Sequence, residues 1–119
     1  MYESATSATW SSGNFIVVLG VVEDNSFGMG TPTVAGLTFA SVAGTPTNTV
    51  SNCKMYAWTA TAGSSSSGVI TSTITGGLAF AGISVFVFSG SDGLGNTSIA
   101  TGLGSTTTQS LTSPSHYQP

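Results

Sequence analysis

Apolar positions along the chain fall into short runs broken by Gly, Ser, Asn and Pro, and that punctuation predicts strands rather than helices. The most apolar run is residues 78–90, LAFAGISVFVFSG, which holds Phe80, Phe86 and Phe88 with Ile83, Val85 and Val87 between them. Strand alternation places Phe80, Ser84, Phe86 and Phe88 on one face and Ala81, Ile83, Val85 and Val87 on the other. A strand apolar on both faces is covered on both. This run is therefore expected at the centre of a sheet in a layered β-domain, or against a partner subunit. Residues 15–22, FIVVLGVV, are the second such run and predict another central strand.

Weaker patterns fill the intervals. In residues 33–42, TVAGLTFASV, the positions Leu37, Phe39 and Ser41 share a face. In residues 49–61, Cys53, Met55 and Ala57 point one way and Lys54, Tyr56 and Trp58 the other. Met and Cys suggest a core-facing side, whereas Tyr and Trp suggest an amphipathic face or an interface. Residues 69–75, VITSTIT, turn Ile70 and Ile74 to the core, and Gly76-Gly77 is a hairpin signal joining them to residues 78–90. Residues 1–9 are a polar lead and residues 96–119 are mostly Ser, Thr and Gly, with room for one edge strand at 106–112. The expected architecture is all-β: a single antiparallel β-sandwich over residues 10–95, immunoglobulin-like or jelly-roll, with extended terminal arms.

Composition narrows the function. Charged residues are 4% of the 119, Lys54 is the one base, and Glu3, Glu23, Asp24 and Asp92 are the acids, giving a net charge of -3. Neutralising phosphates needs several Lys or Arg, so no nucleic acid is expected as a partner. The apolar runs are too short for a membrane helix, so no membrane is expected either. Hydrophobic residues make up 39% of the chain and mean hydropathy is +0.33, which argues against disorder in the body of the chain. Ser and Thr together are roughly a third of the residues, so hydroxyls and backbone cover the surface instead of charge. With little charge to keep it dispersed, such a module suits life inside an assembly. The start, MYESATSATW, shows neither the basic region nor the apolar core of a signal peptide, and synthesis in a host cytoplasm is expected.

Chemically active residues are few. His116 is the one histidine, set among Ser113, Pro114 and Tyr117, with no G-x-S-x-G elbow and no acid to orient it. Cys53 has Lys54 beside it, but neighbours on a strand face opposite ways, so a structural cysteine is expected. Glu23-Asp24-Asn25 and Asp92 with Asn96 lack calcium-loop spacing and suit turns. Gly90, Gly93 and Gly95 have no following helix or lysine to make a phosphate loop. Trp10, Tyr56 and Trp58 form either a sugar-stacking platform or, more in keeping with aromatics on a β-face, core or subunit contacts. No catalytic residue, metal site or cofactor is expected. The candidate interface residues are Tyr56, Trp58, Trp10, Phe86 and Phe88, and self-association to a trimer or dimer is expected from the surplus of apolar surface.

The order of Trp10 to Gly13, the run at 15–22, Gly36-Leu37-Thr38-Phe39, Tyr56-Ala57-Trp58, the Ser/Gly loop, residues 69–75 and VFVFSGSDGLG at 85–95 resembles small β-sandwich structural proteins of tailed bacteriophages. The likeness spans about residues 10 to 95 and contains no catalytic signature. It implies a non-enzymatic virion protein of the capsid decoration or cement type, bound to the major capsid protein on the capsid surface. A glycan- or host-surface-binding module of a tail fibre or adhesin is the alternative. Under the first reading the terminal arms clamp the shell by adding strands to neighbouring edges.

Overall fold

β-branched and aromatic residues in alternation favour a pleated, half-buried surface, and the chain is all-β in a computed structural model that describes residues 2–23, 26–48, 53–76 and 80–95. Eight strands follow one another among the described residues: β1 (Tyr2–Trp10), β2 (Phe15–Glu23), β3 (Gly28–Met29), β4 (Ala40–Ser41), β5 (Thr47–Asn48), β6 (Cys53–Thr61), β7 (Ser66–Thr75) and β8 (Ala81–Phe88). They form two antiparallel sheets, one in the order β1-β7-β3 and one in the order β4-β6-β2-β8, with β5 also on β6. The sheets pack together as a β-sandwich.

The core lies between them and is built from alternate residues. Strand β2 turns Ile16, Val18 and Val22 inward, β6 turns Trp58 and Ala60, and β7 turns Ile70 and Ile74. Met29, Leu37 and Phe39 fill in from the segment between β2 and β6. Ser72 is fully buried between the two isoleucines of β7, and its hydroxyl donates to the Gly30 carbonyl at 2.6 Å. That bond offsets the desolvation of the hydroxyl. One end of the sandwich is pinned by main-chain bonds between two turns: Gly13 N–H to the Ala62 carbonyl at 2.8 Å, and Ala62 N–H to the Asn14 carbonyl at 2.9 Å. Gly13 has φ 85, a left-handed backbone that glycine adopts without a Cβ penalty.

Four expectations change. Residues 1–9 are not an arm: from Tyr2 the chain is β1, paired along its whole length with β7 from Tyr2↔Ile74 to Trp10↔Ser66. Its Ser, Thr and Ala side chains give little hydrophobic amplitude, and its order comes from the β7 ladder and from Trp10 at its end. Among the described residues β8, from the run at 78–90, stands at the edge of its sheet and not at the centre. Among the described residues β8 pairs with β2 alone, while β2, apolar on both faces as read, does lie between β6 and β8. The expected hairpin between residues 69–75 and 78–90 does not form, because β7 pairs in one sheet and β8 in the other. Gly76 has φ 100, and a Cβ there would run into the Phe27 ring. Within 33–42 only Ala40–Ser41 is a strand; Leu37 and Phe39 are buried but Ser41 is exposed. The expected arm at 96–119, with its strand at 106–112, lies outside the described residues.

Neighbouring positions on β7 give a direct check of the two faces. Ile70→Ala removes a fully buried side chain and should cost about 2–5 kcal/mol. Val69→Ala, at a position 54% exposed, should cost less than about 1 kcal/mol. Urea denaturation of both variants measures this, and equal losses would contradict the assignment.

Candidate functional site

The aromatic residues singled out from sequence separate into two groups. Trp10 and Trp58 are each 2% exposed and belong to the core. Tyr56 is half-buried and stacks on Trp58 at a centroid separation of 5.2 Å and an interplanar angle of 11°. Its hydroxyl accepts the Met29 N–H at 3.1 Å. The strand β6 thus turns Tyr56, Trp58 and Ala60 inward and leaves Met55 outside, 48% exposed. This inverts the expected faces. The reason sits across the ladder: Gly20 of β2 is opposite Tyr56, and a Cβ there would lie 2.9 Å from Met29 Sδ and 3.1 Å from Trp58 Cζ3. The missing side chain makes room for the largest ring, whose apolar area outweighs that of Met or Cys.

Trp10 and Trp58 are therefore not surface contacts, and a sugar-stacking platform of Trp10, Tyr56 and Trp58 is not present. Phe86 and Phe88, at 45% and 48%, do face solvent on β8. Register places them on the outer face of the β4-β6-β2-β8 sheet. Across the three long strands the outward rows are Met55–Val21–Gly82, Ala57–Leu19–Ser84 and Thr59–Val17–Phe86, with Phe88 next to Phe15 beyond them. Leu19, Val21 and Met55 are exposed on that face. The inward residues of β8, Ile83 and Val85, pack against the core.

At one end of the face, Val21, Glu23, Cys53, Phe80, Ala81 and Gly82 line an open groove of about 610 Å³. It exists because Gly82 offers no side chain opposite Val21 and a Cβ there would meet nothing within 4 Å. Phe80 forms one wall, is 83% exposed, and its carbonyl accepts the Glu23 N–H at 2.8 Å. Among the described lining residues Glu23 supplies the one carboxylate. Sequence reasoning placed Met55 on the wrong side and did not join Leu19 and Val21 to the phenylalanines; the signal that could have done so was the two-sided apolarity of β2.

Chemistry beyond contact is sparse. Among the described residues no three His, Cys, Asp or Glu side chains come together in a way that could hold a metal ion. No helix among them is long and apolar enough to cross a membrane. His116 and Asp24 lie outside the described residues, and Asp92 is exposed beyond β8. What the arrangement offers is an apolar, nearly uncharged sheet face. No family model matches the chain, and neither does any curated protein or solved structure.

The inward stack gives two expected stabilities. Trp58→Ser should lose about 3–5 kcal/mol, a large part of a small domain's stability. Tyr56→Phe keeps the ring but strips the Met29 N–H of its acceptor, and should cost about 1–2 kcal/mol. Chemical denaturation checks both; a Trp58→Ser protein as stable as the parent would return Trp58 to the surface.

Proposed function

We propose that the protein is a structural component of a virion, a decoration or cement protein that binds the major capsid protein and stabilises the head of a tailed phage. The observation that carries this reading is the exposed apolar face of the β4-β6-β2-β8 sheet on a sandwich with almost no charge. A monomer in dilute solution gains nothing from leaving phenylalanine, leucine and methionine side by side in water. An exposed apolar patch of this kind marks a contact surface, and a permanent assembly is where it is covered. The pattern likeness to phage β-sandwich proteins supports the same reading. Self-association to a trimer or dimer on the shell belongs to it.

The alternative, glycan or host-surface binding, loses its main support with the burial of Trp10 and Trp58. Sugar recognition needs exposed rings beside polar side chains, and the outer face has rings with few polar neighbours. Attachment to the shell rests on buried apolar area, shape and main-chain hydrogen bonds. Ion pairs contribute little, since Lys54 is the one cation this chain can bring.

Electron microscopy of the source particle tests the proposal: the sandwich should appear at regular positions on an icosahedral shell. Particles that lack the chain would overturn it. On those particles, raising salt from roughly 0.05 to 1 M should release little protein, because screening acts on exposed charges. Ready release by salt would show that charge, not buried apolar area and shape, holds the protein in place.

A further inference from the structure

The assembly reading leaves open which surface meets which partner. We propose that a second copy of this chain docks on the outer face of the β4-β6-β2-β8 sheet, centred on Phe86 and Leu19, in a two-fold face-to-face contact; this deepens the assembly reading and rests on it.

Three observations favour a second copy as the occupant. The first is area. Leu19, Val21, Met55, Phe86 and Phe88 are each about half exposed and Phe80 more so, baring on the order of 500 Å² of apolar side chain. With Val17, Ala57 and the intervening backbone, the face approaches the ~800 Å² per partner of a standard interface. The second is charge. No charged side chain stands in the outward rows from Met55–Val21–Gly82 to Thr59–Val17–Phe86, and Glu23 sits at the rim beside Cys53. Two identical faces therefore meet without like-charge repulsion, whereas a charged partner would find no counter-charge at the centre. The third is hydropathy match. Residues 96–119 contain Ile99, Leu103, Leu111 and Tyr117 among Ser, Thr and Gly, too few large apolar groups to match this face. An identical sheet supplies the same phenylalanines and leucine in return.

The geometry suits the contact. Sheets stack about 10 Å apart with side chains interdigitating. The gap at Gly82 flanked by Phe80 receives a ring from the partner, and a two-fold axis repeats that insertion on the other side.

Sedimentation equilibrium on the full chain tests this in the absence of any particle. The parent protein should be a dimer at tens of micromolar. The double variant Phe86→Ser/Phe88→Ser should keep its far-ultraviolet circular dichroism and raise the dimer dissociation constant by about 100-fold, as loss of a central aromatic anchor and its neighbour does. Val69→Ser, on the other sheet, should leave the dimer unchanged. A parent protein that stays monomeric would overturn the inference, as would a double variant that dimerises like the parent. A monomer whose Phe86 ring shows nuclear Overhauser contacts to residues 96–119 would assign the face to the chain's own segment and overturn it too. These results concern the isolated protein, so a monomer here and a decorated shell by microscopy would reject the second-copy contact while leaving the capsid reading intact.

Discussion

One contact across the two sheets sets the rest: Tyr56 and Trp58 of β6 stack over Gly20 of β2, with Met29 of β3 closing on them from the opposite sheet. A strand such as β2, apolar at every position but Gly20 and the terminal Glu23, has little intrinsic preference for which face to bury. Gly20 breaks the tie. Its bare backbone leaves a hollow that only the even-numbered side of β6 can fill with rings. Once Trp58 is in the hollow, register carries the decision outward. Val18 and Ile16 turn inward with it, Val85 and Ile83 follow on β8, and Leu19, Val21, Met55 and Phe86 are left outside. A one-residue slip in any of these ladders would exchange the two faces. The inner stack and the outer apolar face are thus two sides of the same pairing.

The period-2 pattern was strong enough to show an all-β fold, the two apolar strands and the inward turn of Ile70 and Ile74. It failed where the two faces of a strand are chemically similar or where both are weak. On β6 the pair Tyr56 and Trp58 competes with Cys53 and Met55 for the core, and the residue that decides, Gly20, lies on another strand, where only the β2–β6 register brings it opposite Tyr56. On β1 the alternation of Ser, Thr and Ala carries almost no hydrophobic signal, so its strand character is visible only beside β7. The position of β8 in its sheet depends on pairings between distant segments, which local apolarity does not encode. Of the candidate contact residues, Phe86 and Phe88 stand exposed on the face of β8 opposite Ile83 and Val85, which pack against the core, and that alternation is visible in the sequence. Trp10 and Trp58 were misplaced because a tryptophan suits an interface and a core equally well.

The sandwich spends little on chemistry and much on surface of one kind. Hydroxyls hydrate most of it, charges are too few to steer a ligand or a nucleic acid, and one sheet presents aliphatic and aromatic side chains where a dispersed protein would place lysine and glutamate. Function in such a molecule is a matter of what covers the outward rows of β6, β2 and β8.

Because everything above depends on which side of β6 faces inward, tryptophan fluorescence is the most direct measurement. With Trp10 and Trp58 the chain's two tryptophans and both buried, emission of the folded protein should be blue-shifted and weakly quenched by iodide and acrylamide, and should shift red on unfolding. Red-shifted emission with ready quenching in the native state would place Trp58 on the surface, reverse the faces of β6 and β2, and contradict the account.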